Sequence, residues 1–271
     1  SIKPVGIPDA DGNYVMAPYS ARGNDEIKKF YQTGTILQNN LNISAGGADG
    51  YVNLNLGNVR RDFILEGDEL NRNTVVLTAG KKINKFTVGG TFTFTNQRTK
   101  QANVNAATSR SDYTLLTTLL QAASNVPIEE FKNRGLYGWN GYYQNPYWAR
   151  ENNRLEETKN FINLGMNAGY EINKNIEIVY NGSVQMRNTN QVSYSNQAIS
   201  PADADGGFDS PSQFYQSTLG STFYYGDLMA NFNYDLSDAL KLKFNVGQNV
   251  QYNYSKRISQ GGTNLEIPGL Y

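Results

Sequence analysis

Apolar and polar residues alternate along most of this chain. In NKFTVGGTFTFTNQ, residues 84–97, Phe86, Val88, Gly90, Phe92 and Phe94 fall on one face, and Thr87, Gly89, Thr91, Thr93 and Thr95 on the other. A period of two marks a strand with one apolar and one polar face. The same rhythm places Leu41, Ile43 and Ala45 together, then Val52, Leu54 and Leu56. It resumes with Ile162, Leu164, Met166, Ala168 and Tyr170, and again with Ile176, Ile178, Tyr180, Gly182, Val184 and Met186. Near the end, Leu228, Ala230, Phe232 and Tyr234 share a face, and Leu240, Leu242, Phe244, Val246, Val250, Tyr252 and Tyr254 share another. About eight strands in four hairpins are predicted, many longer than the usual five or six residues.

The connections are of two kinds. GGADG, KKINK, NKN and SDA are tight turns. The links between them are longer, and the rhythm breaks for two long stretches, from about Asn96 to Thr158 and from about Thr189 to Leu219. Long irregular segments are uncommon in compact domains unless they have a task. Short turns at one end and long loops at the other are the mark of an outer-membrane barrel, whose strands present an apolar band outward and polar residues inward. The predicted fold is therefore all-β, an antiparallel transmembrane β-barrel segment with long extracellular loops. The faces are expected to run with Phe86, Phe92, Leu164, Ile178, Phe232 and Phe244 outward and Thr91, Asn163, Asn181, Asn233 and Asn245 inward. A soluble β-sandwich or adhesin is the competing reading, since alternation alone does not separate lipid from a second sheet.

The segments divide as 1–32 loop, 33–96 two hairpins, 97–157 extracellular loop, 158–189 hairpin, 190–218 extracellular loop, 219–257 hairpin and 258–271 loop. The first strand, near Thr35 to Ala45, and the last, near Leu240 to Lys256, are not expected to pair. The long loops should stand together, opposite the four tight turns.

Composition narrows the chemistry. The chain has 271 residues, 24 basic and 24 acidic, so its net charge is zero and nucleic acid is not an expected partner. It has no Cys and no His. That argues against the usual zinc sites and against any His-based triad, so no enzyme and no cofactor are expected. No run approaches the roughly 18 apolar residues of a membrane helix. The 19 Tyr, with abundant Asn, Thr and Gly, suit strands with one polar face.

Specific pieces then resemble a known family. FYQTGTILQNNLNISAGG, YVNLNLG and LNRNTVVLTAGKKI, followed by NPYWARENN and NFINLGMNAGYEINKNIEIVYNGS, resemble the barrel region of the SusC/RagA family of TonB-dependent outer-membrane transporters. The resemblance runs from Phe30 to Gly182 and more loosely beyond. It implies a wide, plugged barrel in the outer membrane of a Gram-negative bacterium. It also implies TonB-driven import of oligosaccharides or peptides for nutrient uptake, under a SusD-like surface lipoprotein. Transporters of this size have 22 strands and a plugged lumen. Neither a plug nor a TonB box is found here, so the chain is expected to be a barrel slice of a longer protein, with TonB reached through the missing plug region and outer-membrane lipid around the wall. A small stand-alone barrel with a structural or adhesive role is the alternative.

Three loop motifs are candidate sites. SDYTLLTTLLQAASNVP reads as a helix from Ser111 to Ser124, capped by Ser111 and stopped by Pro127, with Tyr113, Leu116, Leu119, Leu120 and Ala123 in its stripe. LYGWNGYYQNPYWAR gathers flat aromatics, and the candidate ligand or partner contacts are Trp139, Tyr142, Tyr143, Tyr147, Trp148 and Arg150. Of these, Trp139, Tyr142 and Tyr143 are the better ligand candidates, while Pro146 to Trp148 reads as structure at a loop-to-strand junction. Asp203, Asp205 and Asp209 are weak calcium candidates, and Asp9, Asp11 and Asn13 a similar partial match. The EF-hand spacing fails at both, so solvated turns are the favoured reading and no metal is expected.

Overall fold

Alternation becomes pairing in the computed structural model, which describes residues 1–9, 11–22, 25–103, 115–136, 138–199 and 209–267. A short antiparallel hairpin comes first, β1 (Ile2–Val5) with β2 (Val15–Pro18), then helix α1 (Asp25–Lys29). Eight strands follow: β3 (Thr35–Gly46), β4 (Gly50–Asp62), β5 (Glu69–Ile83), β6 (Phe86–Ala102), β7 (Asn153–Asn173), β8 (Ile176–Ser195), β9 (Gln213–Ser237) and β10 (Leu240–Thr263). Between β6 and β7 lie helix α2 (Leu115–Leu120), a 3-10 helix (Ile128–Phe131) and helix α3 (Pro146–Asn152). No described helix is long and apolar enough to cross a membrane.

The eight strands form one antiparallel sheet in sequence order, β3 at one edge and β10 at the other. The two edges do not pair with each other, as expected. Turns join β3–β4, β5–β6, β7–β8 and β9–β10 at one end, and the strand ends Asp62 and Glu69, Ala102 and Asn153, and Ser195 and Gln213, from which the longer links leave, are at the other. Turn chemistry is local. Asn84 takes a left-handed conformation, φ 54°. The Asn173 carboxamide accepts from the backbone N–H of Asn175 at 2.9 Å and of Ile176 at 3.1 Å.

Register carries the two faces unbroken across the sheet. Ile43, Leu54, Leu77, Phe92, Leu164, Val184, Tyr224 and Tyr252 are successive partners from β3 to β10. Four residues along each strand, Asn39, Asn58, Asn73, Asn96, Asn160 and Asn188 make a second row across β3 to β8. This asparagine row lies on the apolar face, beside the row Leu41, Leu56, Val75, Phe94, Ile162 and Met186. Asn58 donates to Asn73 at 2.7 Å, and Asn96 to Asn160 at 2.7 Å. The register also confirms the face assignment of Phe86, Phe92, Leu164, Ile178, Phe232 and Phe244, with Thr91, Asn163, Asn181, Asn233 and Asn245 opposite. Among the described residues no second sheet covers the apolar face: Phe86 is 58% exposed and Leu164 46%.

The strands run further than predicted. β6 continues to Ala102 and β7 already begins at Asn153, so the rhythm ends before the pairing does. Beyond Phe94 both faces turn polar, and backbone bonding carries the ladder on without an apolar stripe.

Candidate functional site

At the loop end, side chains from distant segments form an apolar cluster. Val5 of β1, Val15 and Ala17 of β2, and Phe30 just past α1 meet Leu115, Leu119, Ile128, Phe131, Trp139, Tyr147 and Ala149. The 1–32 segment, predicted as loop, thus supplies a hairpin, a helix and four buried apolar residues. Phe131 and Trp139 meet edge to face at 5.1 Å, and Phe30 and Tyr147 at 4.9 Å.

The NPYW piece builds the floor of this cluster. Asn145, fully buried, caps α3 by accepting from the Tyr147 N–H at 3.1 Å. Its amide nitrogen donates to the carbonyls of Phe131 and Gly135, each at 2.8 Å. Pro146 occupies the first turn, where its missing N–H costs nothing. Asn153 then follows α3 directly into β7.

Arg150 is the buried cation. Its guanidinium reaches Glu66 and Glu151, each at 3.1 Å, and lies 5.4 Å from the Phe30 ring centre and 5.3 Å from that of Tyr147. Glu66 also receives Lys132 at 3.1 Å. The Lys132 hydrogen bond, then the Arg150 charge, hold the Glu66 carboxyl below its ordinary range. Burial pushes the Tyr147 hydroxyl up. A second buried pair ties the β4–β5 link to β7: Asp68 accepts from the Ala102 N–H at 2.7 Å and from Arg154 at 3.0 Å. Burial outweighs those partners and pushes the Asp68 carboxyl up. Neither Asp68 nor Arg154 carries a sequence signal, because the two lie 86 residues apart.

The six aromatic and cationic candidates divide by exposure. Trp139, Tyr147 and Arg150 are buried within the cluster. Tyr143 and Trp148 are half-buried against it, and the Tyr143 hydroxyl donates to Gln121. Tyr142, 67% exposed, stands clear of it. The helical stripe is corrected by the same packing. Leu115, Thr118 and Leu119 face the cluster, while Leu116 and Leu120, assigned to the stripe with Leu119, point outward at 52% and 62% exposure. Adjacent helical turns bury residues four apart, and here the docking face begins one position earlier. Ser111, Tyr113, Asp203 and Asp205 lie outside the described residues. Asp209 is described, and no cluster of three potential metal-ligating side chains occurs among the described residues. Asp9 spends its carboxylate on the backbone N–H groups of Asp11 and Asn13, at 3.0 and 2.8 Å, and on Arg134 at 3.2 Å. That is a capped turn.

No protein-family model matches the chain, and no curated protein matches it in sequence. Among solved structures it is similar to a chain of the RagAB peptide importer in the closed-closed state, with 12% identity and a TM-score of 0.70, over 96% of this chain and 29% of that one. The open-open state of the same importer gives 13% identity and 0.68, over 96% and 29%. A further structure of the RagAB peptide transporter gives 13% and 0.67, over 93% and 28%. Identity at this level shows the fold alone, and the fold is that of a β-barrel segment. The chain spans less than a third of the length of the chains it matches.

Proposed function

We propose that this chain is wall and extracellular loop of a TonB-dependent importer of the SusC/RagA kind, in the outer membrane of a Gram-negative bacterium. It would admit oligosaccharides or peptides beneath a SusD-like surface lipoprotein. The observation that carries this reading is the sheet itself: eight long strands with an uncovered apolar face, a polar opposite face, and all long links at one end. Ten residues separate Asn96 from Phe86, Asn160 from Tyr170 and Asn188 from Ile178. At about 3.3 Å per residue and a tilt near 40°, that run covers about 25 Å of height, the apolar band of a barrel wall. The similar solved structures are those of a peptide importer, which agrees with transport without naming this chain's substrate.

The unpaired edges favour the importer over a stand-alone barrel, which would need β3 to bond β10. In hydrocarbon each bare backbone group costs several kcal/mol, so strands outside this sequence would complete the wall. TonB would act through a plug that is likewise outside it. The lid contact would use the outward pair Leu116 and Leu120 with Tyr142. The test is to replace Leu116 and Leu120 by Ser and Tyr142 by Ala in the full-length protein. Co-purification of the lipoprotein and substrate uptake should both fall while the barrel still inserts. Unchanged co-purification and uptake would overturn the lid assignment.

A further inference from the structure

The polar face holds one feature that the loop cluster does not explain. Near the loop end of β7 to β10 it carries a depression of about 660 Å³, within the range of roughly 300–1,000 Å³ typical of small-ligand sites. Tyr215 of β9 forms its floor, paired with Ser193 of β8 on one side and Gly261 of β10 on the other. One row nearer the turns, Gln191, Ser217 and Ser259 are successive partners. Leu155 and Asn103 complete the rim with Gln216 and Gln260, of which Gln260 donates to Gln216 at 3.2 Å.

Gly261 is what makes room for the ring. A Cβ there would stand 2.5 Å from Cδ1 of Tyr215 and 2.3 Å from the carbonyl oxygen of Phe214. The ring therefore packs where a Cβ would stand, against bare backbone, while Tyr215 stays 48% exposed. Elsewhere on this face polar side chains pair off: Asn42 donates to Asn53 at 3.0 Å, and Lys159 meets Glu157 at 2.6 Å. Among the described residues, the side chains of Gln191, Ser193, Tyr215, Ser217 and Ser259 have no such partner. Among the described residues, no charged side chain lines the depression. Glu157, the β7 partner of Gln191, is ion-paired with Lys159, and Arg257 lies one row further toward the turns.

We infer that this depression is a subsite for a neutral oligosaccharide. The Tyr215 ring is the stacking platform for a pyranose face, and the carboxamide and three hydroxyls around it exchange hydrogen bonds with sugar hydroxyls. Peptide termini and charged side chains would find no countercharge among the described lining residues. The inference rests on the reading that the polar face lines a transport path, and it narrows the substrate class.

Titration calorimetry on the purified full-length protein tests it, using maltohexaose, xylohexaose and mannohexaose, with a pool of tryptic casein peptides as the rival probe. At least one hexaose should bind. Tyr215→Ala should weaken it about tenfold or more, about 1.4 kcal/mol. Tyr215→Phe, which keeps the ring, should stay within a few-fold of the parent, and circular dichroism should be the same for all three proteins. Failure of every hexaose to bind, or binding indifferent to Tyr215→Ala, overturns the subsite. So does peptide binding that Tyr215→Ala abolishes, which would assign the platform to peptides. Binding needs neither TonB nor a lid, so sugar binding without TonB-dependent uptake in cells would instead sink the importer reading.

Discussion

The loop cluster and the sheet obey opposite rules. In the cluster, Leu119, Ile128, Phe131 and Trp139 are hidden and their neighbours are other apolar side chains. In the sheet, Leu41, Phe86, Leu164, Leu228 and Val250 are all exposed by a third or more, and they line up strand after strand. One region carries its own apolar interior and the other borrows its apolar surroundings. Exposed apolar surface on this scale marks an interface or a membrane face. The comparison teaches that mean hydropathy says little here. What decides is whether an apolar residue's neighbours lie within the chain or outside it.

The largest expected effect tests the cluster. Phe131→Ala removes a fully buried ring and should cost the cluster about 3–5 kcal/mol. The chain's two tryptophans, Trp139 and Trp148, both lie there, so their fluorescence in urea reads the loss directly. Phe86→Ala opens no such cavity, and its effect should be much smaller. Equal losses at the two sites would erase the contrast.

The sheet is tested next, in lipid vesicles. Leu164→Arg sets a cation on the apolar face and should cost about 2–4 kcal/mol near the bilayer midplane. Asn163→Arg, one residue away on the polar face, should stay within about 0.5 kcal/mol. Similar costs at both positions would mean that the two faces meet the same solvent.

Asn145→Ala comes third. It strips the cap of α3 and leaves the Phe131 and Gly135 carbonyls unmet, for about 2 kcal/mol, read by the same fluorescence.

The smallest effect is acid sensitivity. Glu66 titrates below its ordinary range, so its ion pairs stabilise the cluster above the unfolded carboxyl pKa, about 4.3, and that contribution disappears as pH falls through the folded value. Asp68, pushed up, works the other way: its burial cost is present at neutral pH and is relieved as pH falls. Glu66→Gln should therefore flatten the acid limb of cluster stability, and the sheet should show no change. An acid limb unaltered by Glu66→Gln would assign the sensitivity to another group.

The strands and their faces were legible because a period of two is a local property, visible in four or five residues such as Phe86 to Phe94. The ladder beyond Phe94 was not, since backbone pairing between two polar faces leaves no trace in side-chain type. The β1–β2 hairpin is four residues to a strand, and only Val5, Val15 and Ala17 betray it. The loop site was legible as composition alone. The aromatics of 139–148 were visible, but their division into buried Trp139 and exposed Tyr142 depends on Phe131 and Asn145, and hence on how the loop closes. Asp68 with Arg154, and Tyr215 over Gly261, join positions that only the register brings together.

The asparagine row has a consequence for assembly. A strand displaced by one residue would turn its apolar side chains to the wrong face, and alternation alone forbids that. A displacement of two keeps every side chain on its proper face, so alternation is blind to it. The row is not. Sliding β6 by two against β5 sets Asn96 opposite Val75 in one direction, and Phe94 opposite Asn73 in the other, where Asn73 now faces Asn96. Each such slip breaks an amide rung and drives a carboxamide toward hydrocarbon. Six asparagines on six consecutive strands thus act as a vernier against the smallest misalignment that the hydrophobic pattern lets through.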